Sequence, residues 1–135
     1  MIGEIAMAKS EFEDAKKTVQ KAVKLKKEKD LNKAEEILRE GLDRYPHNDY
    51  LKASLADLFY RQQKMKQALE LAEEILSEKV ADTRALTVKG NVYFAKRDYE
   101  KAKEFFQEAY NHEQNSYTVS RLIKVLIRLE KYNRA

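Results

Sequence analysis

Three alanines, Ala34, Ala68 and Ala102, stand 34 residues apart, each inside a similar phrase: LNKAEEIL, MKQALELA and YEKAKEFF. Other positions recur at the same interval. Small residues come first (Ala22, Ala56, Gly90), then large ones three places on (Leu25, Phe59, Tyr93). Leu31, Met65 and Tyr99 precede the alanines, and Leu38, Ala72 and Phe106 follow them, then Gly41, Ile75 and Ala109. A fixed period of this length marks a stack of repeated supersecondary units and constrains the fold more than any other feature.

Small and large positions recurring together imply two antiparallel helices per unit. Small side chains let the helices approach closely, and large ones fill the space beside them. One hairpin cannot bury its apolar faces alone, so neighbours stack and share a core. Composition agrees: one Pro and three Gly in 135 residues leave few breakers, and 43% of the chain is apolar. The charged fraction of 37% exceeds the usual level of about 25%.

Boundary signals place helices at about 10–29, 31–44, 49–63, 65–78, 83–96, 98–112 and 116–130. Ser10 with Glu13 reads as a capping box for the first. Pro46 closes the second, and Asn48 or Asp49 caps the third. Asp82, Asp98 and Ser116 are the expected caps of the fifth, sixth and seventh.

These residues resemble the tetratricopeptide repeat (TPR) family, whose pattern sets a small residue, an aromatic and an Ala at fixed offsets with Pro near the repeat end. The third repeat matches best, through Gly90, Tyr93, Tyr99, Ala102, Phe106 and Ala109. The first is weakest, with Thr18 and Lys21 at usually apolar positions, and it alone keeps the Pro. The resemblance covers roughly residues 15–135. It implies an all-α, right-handed α-solenoid of about three helical hairpins plus a seventh terminal helix. The expected units are an N-terminal extension (1–9), repeats at 10–48, 49–82 and 83–115, and a capping helix or truncated fourth repeat at 116–135.

The last segment breaks the regularity. Tyr132 and Ala135 follow Tyr99 and Ala102 by 33 residues, so the third repeat is one residue short. Val119, Leu122, Ile123, Val125, Leu126, Ile127 and Leu129 make helix 116–130 apolar nearly all round, whereas a cap needs a polar outer face. The expectation is a fragment of a longer array, with an exposed apolar surface prone to self-association. Five basic residues, Arg121, Lys124, Arg128, Lys131 and Arg134, oppose Glu130 in this segment. The other residues hold 22 of the 27 basic and 22 of the 23 acidic side chains, so the net charge of +4 sits here.

Reactive chemistry is sparse. The chain has no Cys, and hence no disulfide, thiolate metal site or Cys nucleophile. Neither HExxH nor a phosphate-cradling glycine loop occurs. His47 and His112 fall at helix ends in different repeats. Adjacent acids such as Glu35–Glu36 and Glu73–Glu74 diverge on a helix and read as solvated faces. No run reaches the roughly 18 apolar residues of a membrane span, and a soluble cytoplasmic chain is expected. The resulting expectation is a non-enzyme without cofactor or metal.

In TPR arrays the first helix of each hairpin lines the concave face. The resemblance therefore implies a peptide-binding groove of Tyr50, Ala53, Asp57, Tyr60, Arg61, Arg84, Thr87, Asn91, Phe94, Arg121 and Lys124. Lys16, Val19, Val23 and Lys26 flank it from the first repeat, and Tyr117 and Ser120 from the last helix. Tyr50, Tyr60 and Phe94 offer contact area. Arg61, Arg84 and Arg121 can grip carboxylates, and Asn91 can clamp a peptide backbone. The expected partner is a protein segment with acidic and apolar residues. Chaperone-binding TPR domains clamp a C-terminal carboxylate, but those positions here hold Val19, Val23, Asp57, Arg84 and Val88. Only Arg84 fits, so no EEVD-type tail is expected to bind. Self-association through the terminal helix is the alternative function. Nucleic-acid binding through the basic end is a further, unlikely one, since acids abound elsewhere and base-reading pairs are lacking.

Overall fold

The computed structural model describes residues 1–134, with side chains through Asn133. Seven α-helices and no strand form among them: α1 (Ile2–Lys27), α2 (Leu31–Arg44), α3 (Asp49–Arg61), α4 (Met65–Glu78), α5 (Thr83–Ala95), α6 (Tyr99–His112) and α7 (Ser116–Arg134). Ala135, the end of the expected last unit, and the Arg134 side chain lie outside the described residues. α1, α3 and α5 each pack against the following helix as a hairpin, α7 packs on α6, and α1, α3 and α5 touch in succession. The expected all-α solenoid of three hairpins and a terminal helix is the observed architecture.

The small positions mark where helices meet. Ala22, Ala34, Ala56, Ala68 and Ala102 are buried at 2% exposure or less. Gly90 faces the ring of Phe106, itself fully buried on α6. A methyl at Gly90 would overlap that ring, with even Cζ only 2.9 Å away. Gly41 plays the same part against Thr18, whose Cγ2 would lie 3.1 Å from an added Cβ. Thr18 is polar at a usually apolar position, but its hydroxyl donates to the Asp14 carbonyl one turn back (2.9 Å). Its methyl is then free to pack. The largest core runs from Ala15 to Val92 through the first five helices. A second joins Tyr99, Ala102 and Phe106 of α6 to Val125 of α7. Burying a large apolar side chain contributes about 1.5–3 kcal/mol each.

The turns inside the hairpins repeat as faithfully as the core. Lys29, Gln63 and Arg97, again 34 residues apart, take left-handed φ angles of 63°, 64° and 64°. Each donates its N–H three positions back (to Lys26, Tyr60 and Phe94), and the following N–H donates five back (to Leu25, Phe59 and Tyr93). This is the Schellman closure of a helix end. It normally uses Gly; here Lys, Gln and Arg adopt it, so the turn leaves no glycine signature in the sequence. The residue after each then starts the next helix, with Asp30 and Asp98 accepting from the N–H of Lys33 and Lys101.

Two expected caps are corrected. Ser10 caps nothing: α1 begins at Ile2, and Ser10 lies inside it. No breaker except Gly3 separates Ile2 from Ser10, so the helix simply continues and the stretch expected as an extension is helical. At α7 the cap is Asn115 rather than Ser116. Its Oδ1 accepts from the N–H of Tyr117 and of Thr118, both at 2.9 Å, and Thr118 Oγ1 accepts the Asn115 N–H in return. An amide oxygen one residue earlier reaches two orphan donors at once.

Glu35 is another departure from expectation. It is no solvated acid but a clasp between hairpins, accepting from Arg39 (2.8 Å) and from Lys64 at the start of α4 (3.0 Å). Those contacts, Arg39 first, hold its carboxyl down at about 2 against an ordinary value of 4.5.

Substitutions at Gly90, Lys29 and Arg97 test the packing and the turns. Gly90→Ala improves helix propensity by about 1 kcal/mol, yet overpacking against Phe106 should produce a net loss of about 1–3 kcal/mol in urea denaturation. Adding Phe106→Leu should recover part of it, and a stabilised Gly90→Ala alone would contradict the packing. Conversely, Lys29→Gly and Arg97→Gly should each stabilise by up to about 1 kcal/mol. Each relieves a left-handed penalty of about 1–2 kcal/mol against a glycine entropy cost of roughly 0.5–1 kcal/mol.

Candidate ligand-binding groove

Because α1, α3 and α5 succeed one another on one side of the stack, their outward side chains share a single concave surface. A cleft of about 450 Å³ opens there, lined by Lys26 of α1, by Tyr50, Ala53, Ser54, Asp57 and Arg61 of α3, and by Thr83, Arg84, Thr87 and Val88 of α5. Glu113, Asn115 and Tyr117 close the far side, where α6 passes into α7.

Cations and aromatic faces are paired along its wall. The Arg84 guanidinium lies 4.9 Å from the Tyr50 ring centroid. Its Nη2 also donates to Asp82 Oδ2 (3.3 Å). The other Asp82 oxygen accepts the N–H of Ala85 (3.0 Å), so one buried carboxylate both caps α5 and aims Arg84. Arg121 lies over Tyr117 at 5.1 Å. Asp57 sits between Lys26 (3.1 Å) and Arg61 (2.9 Å), and its charge raises the Arg61 pKa above the ordinary value. Asp57 is thus held by two cations and presents less negative potential than its position alone implies. Thr83 Oγ1, also on the wall, is buried without a hydrogen-bond partner among the described side chains. The cleft wall carries three cations, Lys26, Arg61 and Arg84, against Asp57 and Glu113.

Of the expected groove residues, Tyr50, Ala53, Asp57, Arg61, Arg84 and Thr87 meet in this cleft. Five do not line it. Asn91 is only 2% exposed, and its Nδ2 donates to Tyr117 Oη (3.0 Å), so it positions a wall residue rather than standing open as a clamp. Tyr60 packs on the core. Phe94 turns toward α6, edge-on to Tyr99 (5.1 Å), with Lys124 (5.2 Å) and Arg128 (5.7 Å) over its ring. Arg121 lies over the Tyr117 ring without lining the cleft itself. Beyond the groove set, Lys26 lines the cleft while Val19 is buried, and Lys16 and Val23 are exposed.

Sequence reasoning missed Ser54, Thr83, Glu113 and Asn115. Glu113 and Asn115 belong to a connection, where no repeat position pointed at them. The signal for Asn115 was its capping type just before an apolar run. Among the described residues no cluster of His, Asp or Glu is arranged to hold a metal, and no helix is long and apolar enough to cross a membrane.

A stack of helical hairpins with a cleft along its first helices defines the molecule as a helical-repeat protein of the solenoid class. Tetratricopeptide repeat models match residues 25–92 and 83–116. The chain belongs to the tetratricopeptide repeat family. No curated protein matches it in sequence. Among solved structures it is similar to the first TPR domain of human RPAP3, with 22% identity and a TM-score of 0.74 over 90% of this chain and 96% of that one. It is similar also to the Sgt2 TPR domain from Aspergillus fumigatus, with 20% identity and a TM-score of 0.75 over 90% and 83%. A third is the first TPR of Spaghetti (RPAP3) bound to the HSP90 peptide SRMEEVD, with 23% identity and a TM-score of 0.70 over 86% and 93%.

Asp82 allows a clean separation of its two roles. Asp82→Ala should cost about 1 kcal/mol through loss of the α5 cap. Asp82→Asn keeps the capping oxygen and should stay within a few tenths of a kcal/mol of wild type, although both variants remove the charge that aims Arg84. Equal destabilisation of the two in urea titration would contradict the assignment.

Proposed function

We propose that this chain is a non-catalytic binding module whose concave cleft takes an extended or helical segment of another protein bearing acidic and apolar residues. The observation that carries this is Arg84, whose guanidinium lies 4.9 Å from the Tyr50 ring centroid at the cleft wall with one donor committed to Asp82. A planar guanidinium on an aromatic face suits a carboxylate beside an apolar side chain. Thr83 lines the same wall. On this reading residues 10–48, 49–82 and 83–115 are the three repeat units and 116–135 the closing segment.

The similar TPR of Spaghetti is a structure bound to an HSP90 peptide, which supports a peptide as the kind of ligand. The ligand here differs in kind. Of the positions expected to clamp a chain-terminal carboxylate, Val19 and Val88 are buried apolar residues and Asp57 is an acid. Nothing but Arg84 among them meets a carboxylate, so an internal acidic segment fits better than a free tail.

The test is fluorescence anisotropy with a library of labelled peptides that vary in acidic and apolar content, and with SRMEEVD for comparison. Acidic, apolar members should bind and weaken as salt rises. Arg84→Ala and Tyr50→Ala should each weaken binding about tenfold or more, the scale of a binding anchor, while Lys103→Ala on the outer helix α6 should leave it unchanged. Binding indifferent to Arg84 and Tyr50, or a preference for SRMEEVD, would overturn the proposal.

A further inference from the structure

Both ends of the stack expose apolar stripes. At one end α1 outruns its partner. The α2 terminus lies beside Asp14, which accepts from Arg44 (3.3 Å), and Asn48 donates to Glu11 (3.2 Å). Residues 2–9 therefore project, by about 12 Å at 1.5 Å per residue. Along this projection and its two flanks Met1, Ile5, Ala8 and Phe12 recur at helical spacing and prolong the line of buried Ala15, Val19 and Ala22. Among the described residues nothing covers them: Ile5 is 68% and Phe12 64% exposed.

At the other end α7 buries only one side, through Val125, Leu122 and Leu129. On its outer side Val119, Ile123, Leu126 and Ile127 form a second stripe, with Ile123 51% and Ile127 48% exposed. So the expected exposed apolar surface is present.

The charges beside the stripes are opposite in sign and equal in spacing. Glu4 and Glu11, seven residues apart, follow one edge of the α1 stripe, with Lys9 and Glu13 on the other. Lys124, which also lies over Phe94 (5.2 Å), and Lys131, seven residues on, follow one edge of the α7 stripe, and Glu130, the single acid on α7, stands in line with Ile123 and Leu126 at the end of the stripe. Two apolar helix faces with complementary charges at a seven-residue interval have what a paired-helix seam needs. A pair of α7 faces would instead set lysines against lysines.

We propose that the outer face of α7 docks the projecting start of α1 from a second copy of this chain. The two surfaces differ, so the contact is head-to-tail and extends into open chains rather than closing as a two-fold dimer. The seam is short, which makes the association weak and sensitive to salt.

The test is sedimentation equilibrium of the full chain over a wide concentration range, with circular dichroism to confirm folding of each variant. For wild type, the mean mass should rise with concentration and fall with added salt. Glu4→Lys with Glu11→Lys, and separately Lys124→Glu with Lys131→Glu, should each weaken association at least tenfold. Mixing those two variants should restore it, because each charge-reversed surface then meets a complementary one. Ile123→Asp with Ile127→Asp should abolish association, and no charge-reversed partner should rescue it. A wild type that stays monomeric throughout would overturn the proposal and assign the face to another partner. So would a Glu4→Lys, Glu11→Lys variant that still associates like wild type, which would point to α7 pairing with α7.

Discussion

The whole stack depends on how closely the two helices of a hairpin approach, and that distance is set by single missing side-chain atoms. At Gly90 the ring of Phe106 occupies the volume a Cβ would take. Ala22 and Ala56 make a close approach possible at the equivalent sites of the other two hairpins, and Ala34, Ala68 and Ala102 do so from the second helix, all of them buried. With the hairpin distance fixed, the next hairpin finds only one way to cover the remaining apolar face. A repeated local constraint thus becomes a repeated geometry.

From that geometry follows the cleft. Stacking sets α1, α3 and α5 side by side, so residues remote in sequence, such as Lys26, Asp57 and Arg84, converge on one surface. The turn and cap residues then refine it. Asp82 fixes the start of α5 and the direction of Arg84 through its two oxygens. Asn115 fixes the start of α7, which puts Tyr117 opposite them. Stability and the shape of the cleft therefore share residues here, and polar caps at helix starts double as supports for the cleft wall.

Much of the fold was legible in the sequence because the 34-residue period is a direct print of packing. The bounds of α2 and α4 fall where the pattern sets them, and Asn48, Asp82 and Asp98 cap as their residue types suggest. Three features were hidden, for separate reasons. The left-handed turns use Lys29, Gln63 and Arg97, which carry none of glycine's signal. The start of α1 followed helix-forming composition rather than the Ser10 box. Glu35 found its partner Lys64 across a hairpin boundary, beyond the reach of any local pattern. The cleft was half legible for a similar reason. Periodicity gives the face of a helix but not how deep a residue sits on it. Tyr50 and Arg84 reach the opening, while Asn91, on the same helix as Arg84, is sealed beneath Tyr117, and Phe94 leans away onto α6.

The central claim is that recognition happens on the concave side, along α3, α5 and the start of α7. Amide chemical-shift mapping of the isotope-labelled chain, titrated with the tightest acidic and apolar peptide of a library, addresses it most directly. The account predicts that the largest shifts cluster in residues 50–61, 83–91 and 115–121, with the outer helices α2, α4 and α6 little changed. Shifts centred on those outer helices instead would contradict it.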